Sequence, residues 1–309
     1  MSAAREVSMA DDTNANAIAV VERRLAEATA DNGWWREACD RATREGAAAL
    51  PVLFPALARR LGRGLIGGGR TAEPAIGVDG RAALVDLDVW RVCDAAGFVL
   101  LRTCAELTAE QAVDLFLHGD FEERTIVMRA HALRPVDGGT IALFGEAQRT
   151  NTGTHFEALC CDHNLPARAC GVADFGIDDV NRMVVKAAFM DLPLARMFGV
   201  EEHANAELSR MLQDLATERE AAGRTVWQDT DRLVGLAPTR GTLLRLLGGL
   251  EHGSDGRRLR AAEALARLPV PDLLPLIEDR IARERVDAIR AQLTALAQKW
   301  ELAQNGKGS

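Results

Sequence analysis

Asn151, His155, Asp162 and Asn181 stand at helical spacing where a packing helix would ordinarily carry leucine. If one helix runs from about Ile141 to Cys161, successive steps of ~100° place Phe144, Gln148, Asn151, His155, Ala158 and Asp162 in one narrow sector. Leu143, Ala147 and Leu159 flank that sector, so its polar groups lie on the face suited to packing. Buried without partners, each group would cost a few kcal/mol. They must bond to one another, to neighbouring helices or to a ligand. A carboxylate beside an imidazole fixes its tautomer, so His155 and Asp162 are the candidates for proton transfer. They are two helical turns apart, roughly 10.5 Å along the axis, so a ligand would have to lie between them. His163 adds a titratable group at the helix end. The next helix, Asp178 to Phe189, places Asn181 beside Val184 and Ala188, with Lys186 further round. Asn151, His163, Asn181 and Lys186 are the expected substrate-binding residues. The competing reading is an interhelical network in which the same side chains tie loops to helices. His155, Asp162 and His163 match no metal-ligand spacing, and no cofactor can be named.

The elements that must position these groups are helical throughout. Ala and Leu dominate and β-branched residues are sparse. Stripes at three- and four-residue spacing predict helices over Ala17 to Ala30, Trp34 to Gly46, Leu50 to Leu61 and Leu87 to Cys104. Thr108 with Gln111, and Asp120 with Glu123, read as capping boxes opening two more, and Asn205 caps a third that stops at Gly223. Gly62 to Gly80 reads as a loop, too rich in glycine to hold a helix. It lacks the preceding strand and the GKS/T ending of a phosphate cradle. Ala130-His131-Ala132-Leu133 and Ala262-Glu263-Ala264-Leu265 each sit in an amphipathic helix that ends near a proline. The expected fold is therefore an all-α, HEAT-like α-solenoid of stacked antiparallel helix pairs, with a non-repetitive helical bundle as the alternative. Expected divisions are a disordered tail over 1–16, a helical domain over 17–224 with the Gly-rich loop 62–80, a HEAT-like extension over 225–303, and a disordered tail over 304–309.

Bulk composition excludes several classes. Net charge is −8 and no basic stripe is visible, which argues against nucleic acid as a partner. No apolar run reaches the ~18 residues of a bilayer span, and the polar, acidic start is wrong for a secretory signal, so a cytoplasmic protein without membrane insertion is expected. Six cysteines form neither a CxxC pair nor a regular framework and read as buried thiols.

Several blocks carry a family likeness: FPALARRLGRG (Phe54 to Gly64), DVWRVCDAAGFVLL (Asp88 to Leu101), GDFEERTIVMRAHAL, RTN (Arg149 to Asn151), VNRMVVKAAFMDLPLARMFGV (Val180 to Val200) and ANAELSRMLQDLATEREAAGR, which ends at Arg224. Together they resemble the EboA family over roughly Leu50 to Arg224. The resemblance implies a component of gene clusters that make or export small secondary metabolites. Its partners there would look like a prenyltransferase, a TatD-type hydrolase and sugar- or cyclitol-processing enzymes. The run Asp162-His163-Asn164-Leu165-Pro166 departs from the Asn-Pro-Tyr-Pro-like turn of that family, and Thr154-His155 falls where aliphatic residues are expected. The resulting expectation is a helical pathway component that binds a small polar intermediate or a partner enzyme. The alternative is that the chain is itself a small-molecule enzyme with its site on the inner face of the solenoid. Whether it catalyses a reaction, and its oligomeric state, stay open at this point.

Overall fold

Short polar side chains set where many of the helices begin. In the computed structural model, which describes residues 16–74, 76, 80–104 and 107–305, Asn16 accepts from the Ala19 amide at 2.9 Å and starts α1 (Ala17–Thr29). Asn32 does the same for α2 (Gly33–Glu45) through Trp35. A 3-10 turn leads into α3 (Leu50–Leu61), with Pro51 in its first turn. After α4 (Val92–Thr103), Thr108 and Gln111 form a reciprocal capping box at 3.0 and 3.2 Å and open α5 (Ala109–His118). Asp120 caps α6 (Phe121–Ala130) by accepting from Glu123 N. The chain continues through α7 (Gly138–Arg149), α8 (Gly153–Cys160), α9 (Leu165–Ala169), α10 (Ile177–Phe189) and the Asn205-capped α11 (Ala206–Ala221). It ends with α12 (Thr230–Leu236), α13 (Thr242–Leu250), α14 (Asp255–Leu265), α15 (Leu274–Arg283) and α16 (Asp287–Asn305). Among the described residues the fold is all-α apart from one hairpin and a few isolated bridges. The tails expected over 1–16 and 304–309 lie outside the described residues except for residue 16 and residues 304 and 305.

The described chain divides into two compact units. The first runs up to Met183 and takes in Ala195–Val200; the second is Val184–Leu194 together with the chain from Glu201 on. In the first unit α4 is central, packing on α1, α3 and α6. Its contact with α6 is close enough that a methyl group on Gly97 would overlap the Ile126 side chain. In the second unit α13 packs on α14, and α14 on α16, which also receives α15. Glu284, almost fully buried, joins these helices by accepting from Arg258 at 2.9 Å and Arg280 at 2.6 Å.

Two expectations about local structure are corrected. The glycine-rich run is not all loop: β1 (Arg70–Glu73) pairs antiparallel with β2 (Ala83–Asp86), Arg70 opposite Asp86. Residues 75 and 77–79 of that run lie outside the described set. The single helix expected over Ile141 to Cys161 is two. The backbone turns extended at Thr150, where ψ is 141°, and the Thr150 hydroxyl accepts from Thr152 N at 3.0 Å. Gly153, expected inside a helix, is the first residue of α8.

Candidate functional site

The stretch after α8 is extended rather than helical, and this decides where the polar groups go. Asp162 takes a positive φ of 66°, a conformation Asp tolerates better than most residues. Beyond it, residues 162–164 lie between β2 and the segment around Met197. Asp86 N donates to Asp162 O at 2.8 Å and Asn164 N to Leu84 O at 3.1 Å on one side. Asp162 N donates to Arg196 O at 2.5 Å and Phe198 N to His163 O at 3.2 Å on the other. Asn164 completes the knot with its side chain, accepting from Leu84 N and donating to Ala82 O, both at 2.9 Å.

Within this knot the Asp162 carboxylate is held by both arms of Arg196, at 2.9 and 2.6 Å, and Arg196 also reaches Glu157 at 2.7 Å. Those bonds, that to Asp162 first, hold the Arg196 guanidinium above its ordinary pKa. His163 is 1% exposed. One ring nitrogen faces the Ala158 carbonyl at 3.2 Å and the other accepts from Leu165 N at 3.2 Å. Burial pushes its pKa down to about 4, with Arg129 and Arg168 adding to the effect against the Ala158 bond. Burial likewise pushes the Cys161 thiol up to about 12, so it is inert as a nucleophile at neutral pH.

His155 lies elsewhere. Its Nε2 is 3.1 Å from the Phe121 carbonyl, and its ring packs on Phe121 at 4.9 Å and edge-on to Phe116. His155 therefore ties α8 to the start of α6, while Asp162 ties the next segment to Arg196. Asn151 is exposed between α7 and α8. Asn181, on α10, is buried and has an interaction partner; Lys186, half-buried on the same helix, falls in the second unit and is also engaged. Of the expected residues, the structure brings together Asp162 and His163, neighbours in the knot, and sets His155 and Asn151 apart. Among the described residues no group of three or more His, Cys, Asp or Glu is placed to hold a metal ion.

A cavity of about 510 Å³ opens in the same unit, between the start of α3, helix α5 and the first turn of α6. Leu50, Pro51, Pro55, Leu107 and Leu115 give it an apolar wall. Gln111, Asp114, His118 and Glu123 are its polar groups. Helical geometry explains the arrangement. Gln111, Asp114, Leu115 and His118 recur at three- and four-residue spacing along one side of α5. Pro51 and Pro55, four apart on α3, present two rings on one face. Burial and the neighbouring Asp120 push the Glu123 carboxyl up from its ordinary range. The volume lies in the range of small-molecule sites, which are mostly apolar with a few placed polar groups.

These cavity residues are absent from the sequence-based expectation. Gln111 and Glu123 read there only as parts of helix caps, and Asp114 and His118 receive no reading. The signal that could have found them is the Asp114–His118 pair one turn apart with a second carboxylate just across the Gly119 turn. Arg196 was likewise hidden, because its two partners lie far back in the chain. A family model described as metabolite traffic protein EboA matches residues 88–235. No curated protein and no solved structure matches the chain.

Proposed function

With an EboA domain spanning residues 88–235, we propose that this protein binds a small metabolite on its way through a biosynthetic or export pathway and acts as a binder rather than a catalyst. The cavity between α3, α5 and α6 is the observation that carries this reading. All four of its polar groups, Gln111, Asp114, His118 and Glu123, come from inside the matched segment. The would-be catalytic pair argues against chemistry at the knot: His155 is spent on the Phe121 carbonyl and Asp162 on Arg196. The polar run after α8 is best taken as the network that fixes the segments around it.

The HEAT-like reading is retained for the second unit, where the pairwise packing of α13 with α14 and of α15 with α16 supports it. No helix among the described residues is long and apolar enough to cross a membrane. A cytoplasmic location is supported by the buried cysteines Cys93, Cys104, Cys160 and Cys161, which form no disulfide.

Native mass spectrometry of the protein purified from its producing cell tests the function. A discrete small molecule should accompany the intact chain and be lost from Leu115→Trp, which puts an indole into the cavity. Ala47→Phe, at the edge of the same cavity, serves as a second plug should Leu115→Trp unfold, and circular dichroism checks both. A bound molecule that survives both folded plugs, or none on the parent protein, overturns the assignment.

A further inference from the structure

The charge of the cavity lining restricts what can occupy it. The lining residues include Asp114 and Glu123 but no lysine or arginine. Among the described residues, neither carboxylate has a cationic side chain within ion-pair distance. The nearest guanidinium in sequence, Arg124, is committed elsewhere: it donates to the Gly119 carbonyl at 2.9 Å and the Leu117 carbonyl at 3.0 Å, and lies over the Phe116 ring. His118 uses Nδ1 on the Asp114 carbonyl at 3.0 Å, one turn back. The polar side of the cavity is thus dominated by acceptors and negative charge, opposite an apolar wall.

The geometry points to a ligand with an apolar body and a protonated amine, the body against Leu50, Pro55 and Leu115 and the ammonium between Asp114 and Glu123. This rests on the cavity being the binding site and adds the class of ligand. An anionic metabolite of the same size would meet two carboxylates with no lysine or arginine on the lining to offset them. A neutral alcohol would fill the apolar part and gain hydrogen bonds, but not the charge contact.

Three probes that share a body and differ in charge test it: 2-phenylethylamine, 2-phenylethanol and phenylacetate, followed by ligand-observed NMR titration of the full chain. The amine should bind about fivefold tighter than the alcohol, the acid should bind weakest, and added salt should erase the amine's advantage. Asp114→Asn combined with Glu123→Gln should bring amine and alcohol to equal affinity and leave the alcohol unchanged. Leu115→Trp, or Ala47→Phe, should abolish binding of both. The proposal is overturned if the acid or alcohol is preferred, if none of the three binds, or if the double variant leaves the amine's advantage intact. A co-purifying metabolite that the plugs remove, but that proves neutral or anionic, would leave the cavity as the site and overturn only the ligand class.

Discussion

His163 gives the sharpest test of the fold around the knot. Its ring is 1% exposed and both nitrogens are used by backbone groups, the Ala158 carbonyl and the Leu165 amide. A second proton would turn the acceptor facing Leu165 N into a donor, and the charge would be buried near Arg129 and Arg168. Burial accordingly holds the folded-state pKa at about 4, against ~6.5 in an unfolded chain. The folded pKa is depressed, so the unfolded state takes up the proton first as pH falls. The stabilisation is complete above pH ~6.5 and is lost progressively between there and about 4. At ~1.4 kcal/mol per pH unit, the loss on going from pH 7 to pH 5 is about 2 kcal/mol from this residue. His131, also fully buried and pushed to about 4, acts in the same direction. Single variants are therefore needed to separate the two. Native-state hydrogen exchange of the Asn164 and Arg168 amides, which bond to Leu84 O and Asn164 O, reads opening of this region. The parent should lose about 2 kcal/mol or more of opening free energy between pH 7 and 5, and His163→Gln should flatten that dependence by about 2 kcal/mol. The reasoning is refuted if the His163 imidazole titrates near 6.5 by NMR, or if parent and variant show the same pH slope.

Three further outcomes follow from the packing. Gly97→Ala should destabilise the first unit by about 1–2 kcal/mol in urea unfolding despite alanine's better helix propensity, because its methyl overlaps Ile126. Adding Ile126→Ala should cost less than the sum of the two single changes. Arg196→Met leaves the largely buried Asp162 carboxylate unpaired and should cost about 2 kcal/mol, reduced from the fully buried case because the Arg196 side chain is 30% exposed. Glu157→Gln, at a half-buried pair with the same arginine, should change stability by about 1 kcal/mol or less. In the second unit, Asp231 is 3% exposed with Oδ1 unbonded, and burial raises its pKa against the pull of Arg257, Arg245 and Arg260. A raised carboxyl pKa favours the fold at low pH and penalises it as pH rises past the unfolded value. Asp231→Asn should therefore raise the melting temperature at pH 7.5, by an amount that vanishes as pH falls to the unfolded carboxyl value of ~3.9. A lower melting temperature at pH 7.5 would show that the charge is better paired than its geometry indicates.

Helix identity was legible because it depends on near neighbours. Thr108 and Gln111, Asp120 and Glu123, and Asn205 and Leu208 are three apart, and each starts its helix where the spacing places it. The helix spacing also places Leu87 to Val89 in a helix that α4 joins only from Val92, since Leu87–Val89 form a separate 3-10 turn. The break at Thr150–Thr152 was not legible. No proline stands there, and the deciding bond is a hydroxyl accepting from an amide two residues on. The hairpin was hidden for the opposite reason. Glycine argues against helix in Gly62 to Gly80, but nothing local reveals that Arg70–Glu73 pairs with Ala83–Asp86.

The same contrast explains the site. Asn151, His155, Asp162, His163 and Asn181 stand out because polar groups on a packing face must find partners; all but Asn151, which is exposed, are buried. That argument identifies residues that need a partner and is silent on which partner they find. Asp162 found Arg196 and His155 found the Phe121 carbonyl, each thirty-four residues away in sequence. Asp114 and Glu123 have the complementary character. They sit at ordinary helix-surface positions that raise no alarm in a sequence, and become notable only because Pro51, Pro55 and Leu115 wall the space beside them. The buried polar residues of the knot hold the scaffold, whereas the proposed ligand groups, Asp114 and Glu123, stand without an ion pair at the edge of an apolar cavity. A search for function from sequence that ranks polar residues by how badly they fit a core will therefore find the knot before the cavity.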